Sequence, residues 1–187
     1  MASCYLSASG CCRFGSTSLR RGLTQVLGNM PLRYPFTPKS TAQLSPGQFW
    51  AVPLKDGRFA CGRVLQLGGS ELPTKSRGFF GGLHSWIGSR EPTSDDIAKA
   101  QFLAFGAMHI RAITEVGGKL LGEAPLQDFE LPALLSAMGG PDTKVLTGAN
   151  AVRKAKRSEW GTMPVLGYWG YEHIREVAEL RLAQHVA

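Results

Sequence analysis

Four histidines, His84, His109, His173 and His185, are the side chains best suited to move a proton near neutral pH. His109 lies in an apolar run beside Met108, with Glu115 downstream. A carboxylate orienting an imidazole would make a general base, and with it a hydrolase. No nucleophile is placed beside the pair by sequence, so the plainer reading is a histidine on a sheet face. His84, between Leu83 and Ser85, has no partner at a chemically useful spacing. His173 and His185 fall on one helix at wide spacing, which does not suit a shared metal ion. Asp95-Asp96 could work as paired carboxylates, but first-turn acids of a helix explain them without further assumption. Glu172, Glu176 and Glu179 repeat at helical spacing and read as a solvated face. The run Arg153-Lys154-Ala155-Lys156-Arg157 could grip phosphates, or could be a solvated surface beside a turn. None of the glycine pairs (Gly68-Gly69, Gly81-Gly82, Gly117-Gly118, Gly139-Gly140) completes a phosphate loop or a dinucleotide fingerprint.

Cysteine usage narrows the chemistry further. Cys4, Cys11 and Cys12 lie near the start at spacings that do not match metal ligation, and Cys61 stands alone in the body of the chain. A body with one cysteine has no internal disulfide framework, which fits a reducing cytoplasmic setting. No metal and no cofactor is expected. The formal charge of +7 invites an acidic or nucleic-acid partner. Three of those charges, Arg13, Arg20 and Arg21, sit in an acid-free head of residues 1–29, so the rest of the chain is less basic than the total suggests. No apolar run is long enough for a helical membrane span.

The elements that would have to position these groups can be read along 187 residues, enough for one domain with a real core. Residues 1–29 are Ser/Gly/Cys-rich and read as a disordered head, with Met30 as a candidate initiator. An Arg- and Ser-rich transit segment is the functional alternative. Pro31, Pro35, Pro38 and Pro46 make an extended lead-in to residue 44. Residues 45–187 then form the domain. Phe79, Phe80, Leu83, Trp86 and Ile87 predict a strand over Arg77–Ile87, interrupted at Gly81-Gly82. Thr93-Ser94-Asp95-Asp96 predicts a capped helix reaching Ala100. By period Gln101–Ile113 suits either a helix or a buried strand; a strand from Phe102 onward is favoured because Gly106 would weaken a helix interior, and a return strand is expected from Lys119 to Gly122. Leu131–Met138 reads as a helical turn or two. Lys144–Leu146 and Ala151–Arg153 flank a second hairpin turn, and Ser158–Gly170 reads as a loop. Tyr171–Val186 closes the chain as an amphipathic helix with Ile174, Val177, Ala178, Leu180 and Leu182 on its apolar side.

The strongest local signal is Gln48-Phe49-Trp50-Ala51-Val52-Pro53-Leu54-Lys55-Asp56-Gly57-Arg58-Phe59-Ala60-Cys61-Gly62-Arg63-Val64-Leu65. Asp56-Gly57 between alternating apolar runs predicts a hairpin, with turn residues that tolerate positive φ. Pro53 belongs at an edge or bulge, and Gly62 where backbone approaches closely. This stretch resembles the opening of the bacterial immunity protein 26 family, whose pattern is roughly G-x-F-[aromatic]-A-I-P-L-x-D-G-[RK]-[YF]-A-x-G-R-V-L. Weaker agreement runs through Phe102–Ile110, Gly122–Leu126 and Lys144–Arg153; residues 1–44 are not covered. The resemblance implies a single-domain antidote of a polymorphic toxin system that binds and blocks a cognate toxin. The basic charge of this chain argues against a basic nuclease as that toxin.

The resulting expectation is an α+β fold: a bent, mostly antiparallel sheet resembling a small SH3-like barrel, with a short helix and a closing C-terminal helix. Its function is expected to be non-catalytic binding of a protein toxin, in the cytoplasm and with no membrane. A basic barrel module on RNA or DNA is the alternative, and a hydrolase using His109 and Glu115 a third reading. The expected contact residues are Trp160, Tyr168, Trp169, Tyr171 and Arg77, on the loops around Trp160–Tyr171 and Gly68–Arg77.

Overall fold

The computed structural model describes residues 33–185 apart from residue 75. The expectations for residues 1–29, for Met30 as initiator, for Cys4, Cys11 and Cys12, and for a helix reaching Val186 lie outside them.

The Asp-Gly turn forms as expected. Strands β1 (Gln48–Pro53) and β2 (Phe59–Leu67) pair antiparallel, with Phe49 opposite Arg63 and Pro53 opposite Phe59. The Leu54 amide donates to the Arg58 carbonyl at 2.8 Å and closes a loop of Lys55, Asp56 and Gly57. Of these only Gly57 has a positive φ, 83°, so the turn uses one left-handed residue and not two. The Asp56 carboxylate accepts the Arg58 amide at 2.9 Å and its Nε at 2.7 Å, which fixes the loop from within. Pro53 lies where β1 has run past its outer neighbour, so its missing donor costs nothing.

The chain continues through β3 (Gly78–Gly88), α1 (Ser94–Ala98), β4 (Phe102–His109) and α2 (Arg111–Thr114). It then forms β5 (Gly122–Glu123), β6 (Ala133–Leu135), β7 (Lys144–Thr147) and β8 (Asn150–Lys154). A short 3-10 turn, β9 (Gly167–Trp169) and α3 (His173–His185) complete it. Six strands make one sheet in the order β5-β1-β2-β3-β4-β9, and three make a second in the order β6-β7-β8. Among the described residues the strands pair antiparallel except β4 with β9, and an isolated parallel bridge joins Leu135 to Val165.

The large sheet buries both faces. On one, Trp50, Val52, Val64, Phe79, Leu83, Met108 and Trp169 pack against Ile174, Ala178 and Leu182 of α3. On the other, Leu65, Phe80 and Ala107 meet Leu134 and Leu146 of the small sheet, and Phe49 and Cys61 meet Ile97 of α1. Each fully buried large side chain contributes about 2–3 kcal/mol, and Trp50, Phe49, Phe79, Phe80 and Met108 are all enclosed. The Trp50 indole lies across Gly62 on the neighbouring strand, so a Cβ at Gly62 would fall inside the ring. Gly62 thus makes room for a side chain, where the approach of another backbone was expected.

Several expectations are corrected. The large sheet does not close: two-residue β5 and three-residue β9 stand on opposite edges, so the described strands form an open sheet and no closed barrel. β3 runs through Gly81-Gly82 without a break, because the Phe102 ring covers Gly82. β4 stops at His109, and Ile110 starts the turn into α2. α1 ends at Ala98, short of Ala100. Leu131–Met138 is not helical: Ala133–Leu135 pairs with Val145–Thr147. Ser158–Gly170 is not all loop, since Gly167–Trp169 joins the sheet. Leu180 is 60% exposed, because α3 meets the sheet through a narrow stripe of every fourth residue: Ile174, Ala178, Leu182.

Candidate partner-binding surface

The motif residues that look most chemical lie inside the scaffold. Arg63 is only 5% exposed and makes no salt bridge among the described residues. Its Nε donates to the Gly47 carbonyl at 3.3 Å, and Nη2 donates to the carbonyls of Ala124 and, at 2.8 Å, Pro125. The guanidinium therefore pins the segment after β5 onto the hairpin. A rigid fork of donors suits that role, as a lysine would not. His84 is buried and stacks on Phe102, ring centroids 4.1 Å apart. Its Nδ1 lies 3.1 Å from the Ala100 carbonyl and must carry the proton to bond there; Nε2 is buried with no partner among the described residues. Burial, and then the charge of Arg63, push His84 down to about 4, so it is neutral at neutral pH. Burial likewise pushes the Cys61 thiol far up, which removes the reactive thiolate. These groups touch no solvent that could bring a substrate, and they hold strands together.

The hydrolase pair does not assemble. His109 Nδ1 accepts the Arg111 backbone N–H at 3.2 Å, while Glu115 pairs with the Arg111 side chain at 3.2 Å. Among the described residues no carboxylate is hydrogen-bonded to the imidazole. Burial, then Arg111 and Arg77, lower its pKa. What gathers instead is a surface ridge. The His109 ring lies 5.5 Å from the Tyr171 ring, and the Arg111 guanidinium sits 4.9 Å over that same ring. Such a stack favours a cation held over an aromatic face. Arg77 is exposed nearby, its carbonyl accepting the Ile110 amide at 2.9 Å. Two expected contact residues, Tyr171 and Arg77, thus share one patch with His109 and Arg111. The latter two came into it through the sharp turn from β4 into α2.

The other three expected residues are dispersed. Tyr168 is 52% exposed on edge strand β9, its hydroxyl donating to the Glu71 carbonyl at 3.1 Å. Trp169, one residue on, points through the sheet into the core beside His173. Trp160 is half-buried, with its indole nitrogen enclosed. Two further features escaped the sequence reading. A groove of about 680 Å³ runs between β4, the Pro164–Gly167 segment and α3, lined by Leu103, Phe105, Leu134, Trp169, Val177 and Leu180. Leu180, at the apolar spacing of α3 yet left outside, is its only trace in the sequence. Strand β8 is exposed along its whole length. Among the described residues no group of three His, Cys, Asp or Glu side chains converges as a metal site would require, and no helix is long and apolar enough to cross a membrane.

The family model described as Immunity protein 26 matches residues 45–135, which bears out the resemblance carried by the hairpin. The match ends before the Lys144–Arg153 hairpin. No curated protein and no solved structure matches the chain.

Proposed function

With residues 45–135 assigned to the immunity protein 26 family, we propose that this chain is a non-catalytic antidote that binds a cognate bacterial toxin in the cytoplasm and blocks it by covering its working surface. The family match is the observation that carries this reading. The disposition of polar groups supports it: Arg63, His84 and Cys61 are structural, and His109 has no orienting acid. The contact surface is the ridge of Tyr171, Arg111 and Arg77, with Tyr168 on the neighbouring edge and Trp169 bracing β9 from beneath. Exposed Tyr and Arg carry binding energy well, because each offers a large contact area to a partner pocket.

The test is co-expression with the product of each gene flanking this one, scored for toxicity and for protection. Wild type should restore growth and form a complex. Tyr171→Ala combined with Arg77→Glu should weaken that complex by about ten-fold or more while the fold survives. A wild-type chain that neither protects nor binds would defeat the antidote reading.

A further inference from the structure

Strand β8 is unusual in what it leaves uncovered. All five of its residues are exposed, Val152 by 63%. It forms the outer edge of the small sheet and adds nothing to the core behind β7. A shallow groove of about 310 Å³ lies along it, with Asp142, Lys144, Val152, Arg153 and Lys154 in its walls. Five cations crowd the ribbon and its continuation. Two are already neutralised: Lys144 by Glu71 at 3.0 Å, and Arg153 by Glu159 at 2.5 Å. Lys154, Lys156 and Arg157 make no salt bridge among the described residues. Glu159 also accepts the Lys156 amide at 2.7 Å, and these contacts hold its carboxyl down at about 2. The ribbon's shape is thus fixed by one internal carboxylate, while three positive heads remain outward.

Lysines on an edge strand discourage strand-to-strand association, and that alone would explain one or two of them. Three unpaired cations beside an exposed valine and a groove go further, because they present complementary charge next to apolar area. We infer that the β7–β8 ribbon, through Val152, Lys154, Lys156 and Arg157, is a docking surface for an acidic, partly apolar segment of a protein partner. This rests on the antidote reading and names the chemistry of the toxin segment it meets. A protein segment fits better than a single nucleic-acid strand. The strand Asn150–Lys154 carries no aromatic ring on which a base could stack, and the ring that follows, Trp160, has its indole nitrogen turned inward.

The test uses two probes on the full chain, a decaglutamate peptide and a thymidine decamer, titrated at low salt. The ribbon variant carries Lys154→Glu, Lys156→Glu and Arg157→Glu. A control of equal charge change carries Lys39→Glu, Lys55→Glu and Lys99→Glu. Decaglutamate should bind wild type and the control alike and should bind the ribbon variant about five-fold or more weakly. Val152→Asp, which alters no core residue, should weaken it in the same direction and guards against misfolding of the triple variant. Equal binding to wild type and ribbon variant, an equal loss in the control, or no binding at all overturns the proposal. So does tighter binding of the thymidine decamer, which would make the ribbon a nucleic-acid surface. Because neither probe is the toxin, these outcomes are read independently of the co-expression result.

Discussion

Acidification should destabilise this fold through one buried imidazole. His84 has its Nδ1–H committed to the Ala100 carbonyl at 3.1 Å, and its other nitrogen sits enclosed near the Arg63 guanidinium. Protonating Nε2 would place a second cation beside the first, with no acceptor for the new N–H. The unfolded chain takes up this proton near the ordinary histidine value of 6.5, the folded chain only near about 4. Between those values the unfolded state binds more protons. Stability from this group is therefore fully present above the unfolded value and falls as the pH drops through the window. At ~1.4 kcal/mol per pH unit the loss reaches about 3 kcal/mol, a large share of the roughly 5–15 kcal/mol that holds a typical domain together. Urea unfolding across this range, for wild type and His84→Gln, isolates the effect. Glutamine keeps an amide to donate to Ala100 and cannot titrate. The stability of wild type relative to the variant should fall by about that amount on going down through the window. A difference that stays flat, or an NMR titration of His84 near the free histidine value, would refute the argument.

Two further perturbations probe the same scaffold. Arg63→Met should cost about 2–4 kcal/mol in urea unfolding, because the Ala124 and Pro125 carbonyls lose their donor; a loss too small to measure would mean that water serves those carbonyls. The same variant should raise the pKa of His84, since Arg63 is one of the charges holding it down. Gly62→Ala should cost about 1–3 kcal/mol and shift the fluorescence of Trp50, whose ring occupies the space the new methyl needs; an unchanged spectrum and stability would show that the strands can part at no cost.

How legible all this was depends on how local the deciding force is. The Asp56-Gly57 and Thr147–Asn150 turns were readable because their chemistry lies in adjacent residues. The capped start of α1 was readable for the same reason: Asp96 accepts the Thr93 amide at 2.8 Å. Leu131–Met138 was misread because Leu131, Leu134 and Leu135 match a helical period, while pairing with a strand ten residues further on decided the outcome. β9 depends on parallel pairing with distant Gly106–Met108, which no local pattern announces. The burial of His84 and Arg63 was equally hidden. Each occupies an alternating position whose face becomes interior only when α1 and the small sheet cover it. Tyr171 and Arg77 are legible as contact residues from the loops that carry them, but the turn after β4 is what brings His109 and Arg111 beside them.

That division bears on how partner choice can change. Of the hairpin residues that carry the family pattern, Trp50 over Gly62 and Arg63 in its cage of carbonyls are turned inward, while Asp56 is locked to Arg58 at the exposed turn. Substituting them alters stability before it alters a surface. The exposed groups Val152, Lys154, Lys156, Arg157, Tyr168 and Tyr171 all lie beyond residue 135, where the family match stops. They ride on edge strands and on the entry to α3, positions from which side chains can be exchanged without opening a packed core. Within the matched segment the proposed ridge draws on Arg77, His109 and Arg111, which flank the ends of β3 and β4 and not their middles. A scaffold written in the first half and a surface written mostly in the second lets the partner vary while the fold stays fixed. On the antidote proposal, contact residues on those edges can be exchanged while the packing beneath them holds.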